Sequence, residues 1–78
     1  MDEQTLVSMA NQIGDFFDSM PDREEALTGI ADHIRRFWEP RMRRALLATL
    51  DTTGRTALSP IVQEALTNHR AELTPALA

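Results

Sequence analysis

Apolar side chains recur at three- and four-residue steps along most of this chain, the pattern of helices that bury one face. From Glu3 to about Ser19 a first helix is predicted, with Leu6, Met9, Ala10, Ile13, Phe16, Phe17 and Met20 forming its apolar stripe. Gln4, Asn11, Asp15 and Asp18 face the other way. Met20-Pro-Asp breaks the pattern, and Asp22 with Glu25 has the spacing of a capping box. A second helix then runs to about Trp38, with Leu27, Ile30, Ala31, Ile34, Phe37 and Trp38 as its stripe. Pro40 disfavours helix at Glu39 and suits the first turn of a third helix. That helix reads Pro40 to about Asp51, with Met42, Ala45, Leu46, Thr49 and Leu50 inward and Leu47 at the edge. Gly54 suits a left-handed cap at its end. Ser59-Pro60 is a helix start, and a fourth helix carries Ile61, Val62, Ala65, Leu66 and His69 on one side before ending near Arg70.

These elements predict an all-α fold, a small bundle of three main helices plus a shorter C-terminal fourth. Residues 1–70 form the single domain, and 71–78, with weak periodicity and a proline, form a fraying tail. The expected core is Leu6, Ile13, Phe17, Leu27, Ile30, Ile34, Phe37, Leu46, Leu50 and Leu66.

Length changes the picture first. A chain of 78 residues buries only about 60–65% of its unfolded surface and is marginal by itself. It has no cysteine, so neither a disulfide nor a thiolate-held metal or iron–sulfur cluster is available to staple it. The acidic start and the lack of a long apolar run argue against a signal peptide and a membrane-spanning helix, and a cytoplasmic location is expected. The net charge of −4 argues against general nucleic-acid binding.

Charge is unevenly spread. Residues 1–32 carry eight acids and one arginine, whereas 33–44 carry five arginines and one glutamate. Every basic residue is arginine. The segment Ala31-Asp-His-Ile-Arg-Arg-Phe-Trp-Glu-Pro-Arg-Met-Arg-Arg44 therefore holds most of the positive charge and the single tryptophan. Arginine and tryptophan are enriched at interface hot spots. Arg35, Arg36, Trp38, Arg41, Arg43 and Arg44 are accordingly the candidate partner-binding residues. The competing account is a solvated face neutralised by the acidic first helix, and the helical phase of Trp38 beside Leu27 and Ile34 favours the core for that residue.

No catalytic constellation emerges. His33 and His69 are the only side chains whose ordinary pKa lies near neutral pH, and no His-x-x-x-His or Glu-x-x-His spacing occurs. Glu24 and Glu25 are adjacent and diverge on a helix. The glycines are isolated, so no phosphate loop forms.

Three blocks carry a family resemblance: Leu6-Val-Ser-Met-Ala-Asn-Gln-Ile-Gly-Asp-Phe-Phe17, Ala31 to Arg44 with its Arg-Phe-Trp-Glu-Pro-Arg-Met core, and Leu58-Ser-Pro-Ile-Val-Gln-Glu-Ala-Leu66. Through them the chain resembles the delta subunit of soluble NAD-dependent, molybdenum-containing formate dehydrogenases. The resemblance implies a small non-catalytic accessory subunit without cofactor of its own, its partner being the catalytic alpha subunit of a multi-subunit complex. Molybdopterin, iron–sulfur clusters, flavin and NAD are then expected in the partner subunits. A subunit retained in the complex and a transient maturation chaperone both remain open, as does self-association.

Overall fold

The computed structural model describes residues 2–76, and every element among them is helical. Helix α1 spans Glu3–Asp18, α2 Arg23–Phe37, α3 Pro40–Leu50, α4 Pro60–Asn68 and α5 Arg70–Leu73, with a 3-10 turn at Thr53–Ala57. The starts are locally encoded. Asp2 Oδ1 accepts from the amide of Thr5 at 2.8 Å, capping α1. Asp22 Oδ1 accepts from the amides of Glu24 and Glu25 at 2.9 and 3.2 Å, capping α2. Proline opens both α3 and α4, where a missing amide hydrogen costs nothing.

Helix α2 is the centre of the bundle, packing on α1, α4 and α5, and α1 packs in turn on α2, α3 and α4. Leu27, Ile30, Ile34, Leu46, Val62 and Leu66 are sealed from solvent between them. Helices α1 and α4 approach closely at Gly14, where an added Cβ would stand 2.6 Å from Val62 Cγ2. The junction before α4 is clamped from α1: Asn11 Nδ2 donates to the Ala57 carbonyl and Asn11 Oδ1 accepts from the Ser59 amide, both at 2.9 Å. Thr49 Oγ1 donates to Glu3 Oε1 at 3.1 Å and ties α3 to α1. Arg23 joins α2 to α4 by donating to Glu64 Oε1 from Nε and Nη2, at 3.1 and 2.7 Å.

Several expectations need correction. Helix α1 buries Leu6 and Ala10 of the predicted stripe together with Val7 and Gly14, while Met9, Ile13, Phe17 and Met20 pack only partly buried against the core. At about 100° per residue the helix is turned by roughly 70° from the expected orientation. The reason is close packing: the small residues Ala10 and Gly14 admit neighbouring helices that phenylalanines would hold off. Phe17 and Ile13 are consequently half-buried, and Phe16 is 74% exposed. Phe37, expected in the core, is 72% exposed. Helix α2 ends there, and Trp38 takes an extended conformation and is buried instead, at 6% exposure. In α3, Leu47, expected at the stripe's edge, is buried, and Ala45, expected inward, is exposed.

Gly54 forms no left-handed cap, since it has no positive φ. It lies in the 3-10 turn, and Thr52 Oγ1 accepts its amide at 3.1 Å. Ser59 makes no side-chain capping bond, and its buried hydroxyl has no partner. Helix α4 ends at Asn68, short of Arg70, and α5 (Arg70–Leu73) runs into the segment from Ala71 where a fraying tail was expected, with Leu73 1% exposed. Leu77 and Ala78 lie outside the described residues.

Candidate docking surface

The turn Ser19–Asp22 sends α2 back along α1, so that Phe17 lies over Gly29 and Met9 shares a groove with Trp38. An added Cβ on Gly29 would come within 2.5 Å of the Phe17 ring, so glycine is what lets the ring lie down on α2. The groove encloses about 570 Å³ between Met9, Ile13, Phe16, Phe17, His33 and Trp38, with Gln12 beside them. Phe16 meets Phe17 edge-on, ring centroids 5.1 Å apart. On the opposite wall the His33 and Phe37 rings lie 4.8 Å apart. Phe16 and Phe37 are the large hydrophobic side chains most exposed among the described residues; Phe16 lines the groove, and Phe37 packs beside His33, which lines it. An apolar surface rimmed by polar residues is the ordinary mark of an interaction site.

The arginine segment borders one end of the groove, where Trp38 and Pro40 turn the chain from α2 into α3. The structure brings the candidate residues to that corner in different states. Arg35 and Arg36 both donate to Asp32, at 3.1 and 3.2 Å. Partial desolvation pushes the Asp32 carboxyl up, but the hydrogen bonds and charges of Arg36 and Arg35 together outweigh it and leave the carboxyl below its ordinary pKa. Arg41 and Arg44 are exposed, and among the described residues neither forms an ion pair. Arg43 is half-buried and its Nε, shielded from solvent, has no hydrogen-bond partner. Trp38 forms part of the groove's lining.

The acidic first helix does not neutralise this corner. Among the described residues its Asp18 pairs with Arg23 at 3.5 Å, and no α1 acid reaches residues 35–44. Asp51 takes both terminal nitrogens of Arg70, at 3.1 and 2.7 Å, fixing α5 to the end of α3. The hydrogen bonds from Arg70 hold the Asp51 carboxyl below its ordinary pKa.

Sequence reasoning found the arginine corner and missed the groove beside it. His33 lines the groove rather than any acid–base pair, and His69 Nδ1 lies 3.3 Å from Glu72 Oε2 at the α4–α5 joint. Among the described residues no group of three or more histidine, aspartate or glutamate side chains converges as a metal site, and no helix is long and apolar enough to cross a membrane.

A family model described as the NADH-dependent formate dehydrogenase delta subunit, FdsD, matches residues 5–66 of the chain. No match is found among curated proteins or among solved structures.

Proposed function

The chain belongs to the family of NADH-dependent formate dehydrogenase delta subunits, and from that premise we propose that it is a non-catalytic accessory subunit that binds the molybdenum-containing catalytic subunit and supports its assembly, cofactor retention or stability. The observation that supports this reading is the exposure of Phe16 and Phe37 together with that of Arg41 and Arg44, which form no ion pair among the described residues. A helical domain this small gains nothing by leaving two phenylalanines in water unless a partner covers them. The contact residues are Arg35, Arg36, Trp38, Arg41, Arg43 and Arg44. Arg41 and Arg44 offer free guanidinium forks for partner carboxylates, Arg35 and Arg36 share theirs with Asp32, and Trp38 stiffens the groove floor. The complex acts in the cytoplasm and takes electrons from formate to NAD through molybdopterin, iron–sulfur clusters and flavin held by the other subunits.

Retention in the complex rather than transient chaperoning is the form of the proposal. The test is a pulldown of the tagged chain from cells making all subunits, with metal and pterin analysis of what comes down. Stoichiometric recovery with active enzyme is expected, and recovery only with cofactor-free catalytic subunit would overturn retention. The double substitution Arg41→Glu with Arg44→Glu should keep helical content and lose co-purification at moderate salt. Undiminished co-purification would reduce the corner to a solvated face.

A further inference from the structure

The chain beyond α4 is joined to the fold by a hinge. The His69 amide still donates to the Ala65 carbonyl, at 3.0 Å, but His69 itself leaves helical geometry, with φ −115° and ψ 22°. Past this joint α5 has 4 residues. Its backbone bonds run from the Leu73 amide to the His69 carbonyl, at 3.2 Å, and from the Thr74 amide to the Arg70 carbonyl, at 2.9 Å. A helix this short is not stable by itself and persists only where it packs.

What holds it down is small. Helix α5 rests on α2 and α4. Leu73 is sealed in the core, and Pro75 is buried just beyond it. Arg70, Ala71, Glu72, Thr74 and Ala76 are exposed. Among the described residues one side-chain link leaves the segment, from Arg70 to Asp51 at the end of α3, and both partners stay largely in water. The other two close within the segment and its hinge: His69 Nδ1 lies 3.3 Å from Glu72 Oε2, and Thr74 Oγ1 donates to the Arg70 carbonyl at 2.7 Å.

We propose that residues 70–76 are a strap, hinged at His69, that opens as a unit while α1 to α4 stay folded. Opening gives up the burial of Leu73 and Pro75 and one exposed ion pair, and it returns backbone freedom to the whole segment. Opening α2 instead would expose Leu27, Ile30 and Ile34 together. Native proteins open first where few buried contacts hold a unit down, and by that measure the two events lie far apart. Closed, the strap completes the core; open, it bares the part of the α2 and α4 surface that Leu73 covers.

The experiment is residue-resolved amide hydrogen exchange on the full chain, with denaturant raised but kept below the unfolding transition. The Leu73 and Thr74 amides should exchange at least about tenfold faster than those of Ile30 and Ile34, with little dependence on denaturant. Val7→Ala, a change in the buried face of α1, should speed Ile30 and Ile34 by about tenfold and leave Leu73 and Thr74 unchanged, because the strap opens without the core. Asp51→Asn should speed the two strap amides by about two- to fivefold, the range for an exposed ion pair. If Val7→Ala speeds all four amides by one factor, α5 belongs to the cooperative core and the strap is overturned. Equal protection of the four amides in the unmodified chain overturns it as well. Unchanged Leu73 and Thr74 rates in Asp51→Asn would overturn the ion pair as the fastening.

Discussion

On one side of α2, Leu27, Ile30 and Ile34 lie in full burial within the core to which α4 contributes Val62 and Leu66; on another, His33 lines the groove with the exposed Phe37 packed beside its ring. Both sides are apolar, so hydrophobicity does not distinguish them. Side-chain size does. The sealed side is interleaved with small residues, Ala10, Gly14, Ala26, Ala31 and Ala65, which let backbones close until branched aliphatics interlock. The groove side carries phenylalanines and methionine, which hold α1 and α2 apart at their outer edges. The first arrangement finishes a fold within one chain. The second leaves apolar area whose burial requires another molecule.

If that contrast holds, substitutions on the two sides should differ in kind. The largest effect is expected from Ile34→Ala, which opens a cavity in the sealed side and should cost about 2–5 kcal/mol. For so small a domain that is enough to unfold much of the isolated chain, as a denaturant titration would register. An unchanged midpoint would erase the distinction between the two sides. Gly14→Ala comes next. Its Cβ would press on Val62 Cγ2 in the interlocked region, and overpacking of this sort should cost about 1–3 kcal/mol, exceeding the helix propensity gained. A stabilised variant would show that α1 and α4 have room to move apart.

Groove substitutions should be nearly silent in the isolated chain. Phe16→Ser and Phe37→Ser are expected to shift stability by no more than about 0.5 kcal/mol, because both side chains are already largely in water. A large loss in either would place it in the core after all. The smallest effect is the response to acid. Asp2, Asp32 and Asp51 all sit below their ordinary pKa in the folded chain, held there by the Thr5 amide, by Arg36 and Arg35, and by Arg70 respectively. A depressed carboxylate contributes stability that is complete above its unfolded value of 3.8 and is lost as pH falls from there through the lower folded value. Thermal melts should therefore be flat from neutral pH to about pH 5 and decline gently below pH 4. The exposure of these pairs keeps the decline shallow. Asp51→Asn should flatten part of it.

Helix existence was legible along the chain because capping and punctuation are local. Asp2, Asp22, Pro40 and Pro60 act on amides within a few residues of themselves, so their effects do not depend on the rest of the fold. The α2 stripe was read correctly at Leu27, Ile30 and Ile34, which recur at helical spacing on one face and are fully buried. The α1 stripe was misread because the rule that large apolar residues go inside ignores how closely a neighbour must approach. Asn11 was read as outward, yet its side chain spans 46 residues of sequence to reach Ala57. No local pattern announces such a bond. The arginine corner was visible as composition; its partial neutralisation by Asp32, and the freedom of Arg41 and Arg44, were not.

The sequence by itself determined an all-helical chain, where its main helices begin, which segment is basic, and family membership through strings such as Arg-Phe-Trp-Glu-Pro-Arg-Met. Those properties reside in neighbours along the backbone. Only the tertiary structure decided that Phe16 and Phe37 stand in solvent and that Leu73 is buried beyond the fourth helix. Helical phase states which side chains share a face. How near the next helix comes depends on small residues in two distant segments at once, and it is that distance which sets whether a face becomes core or groove.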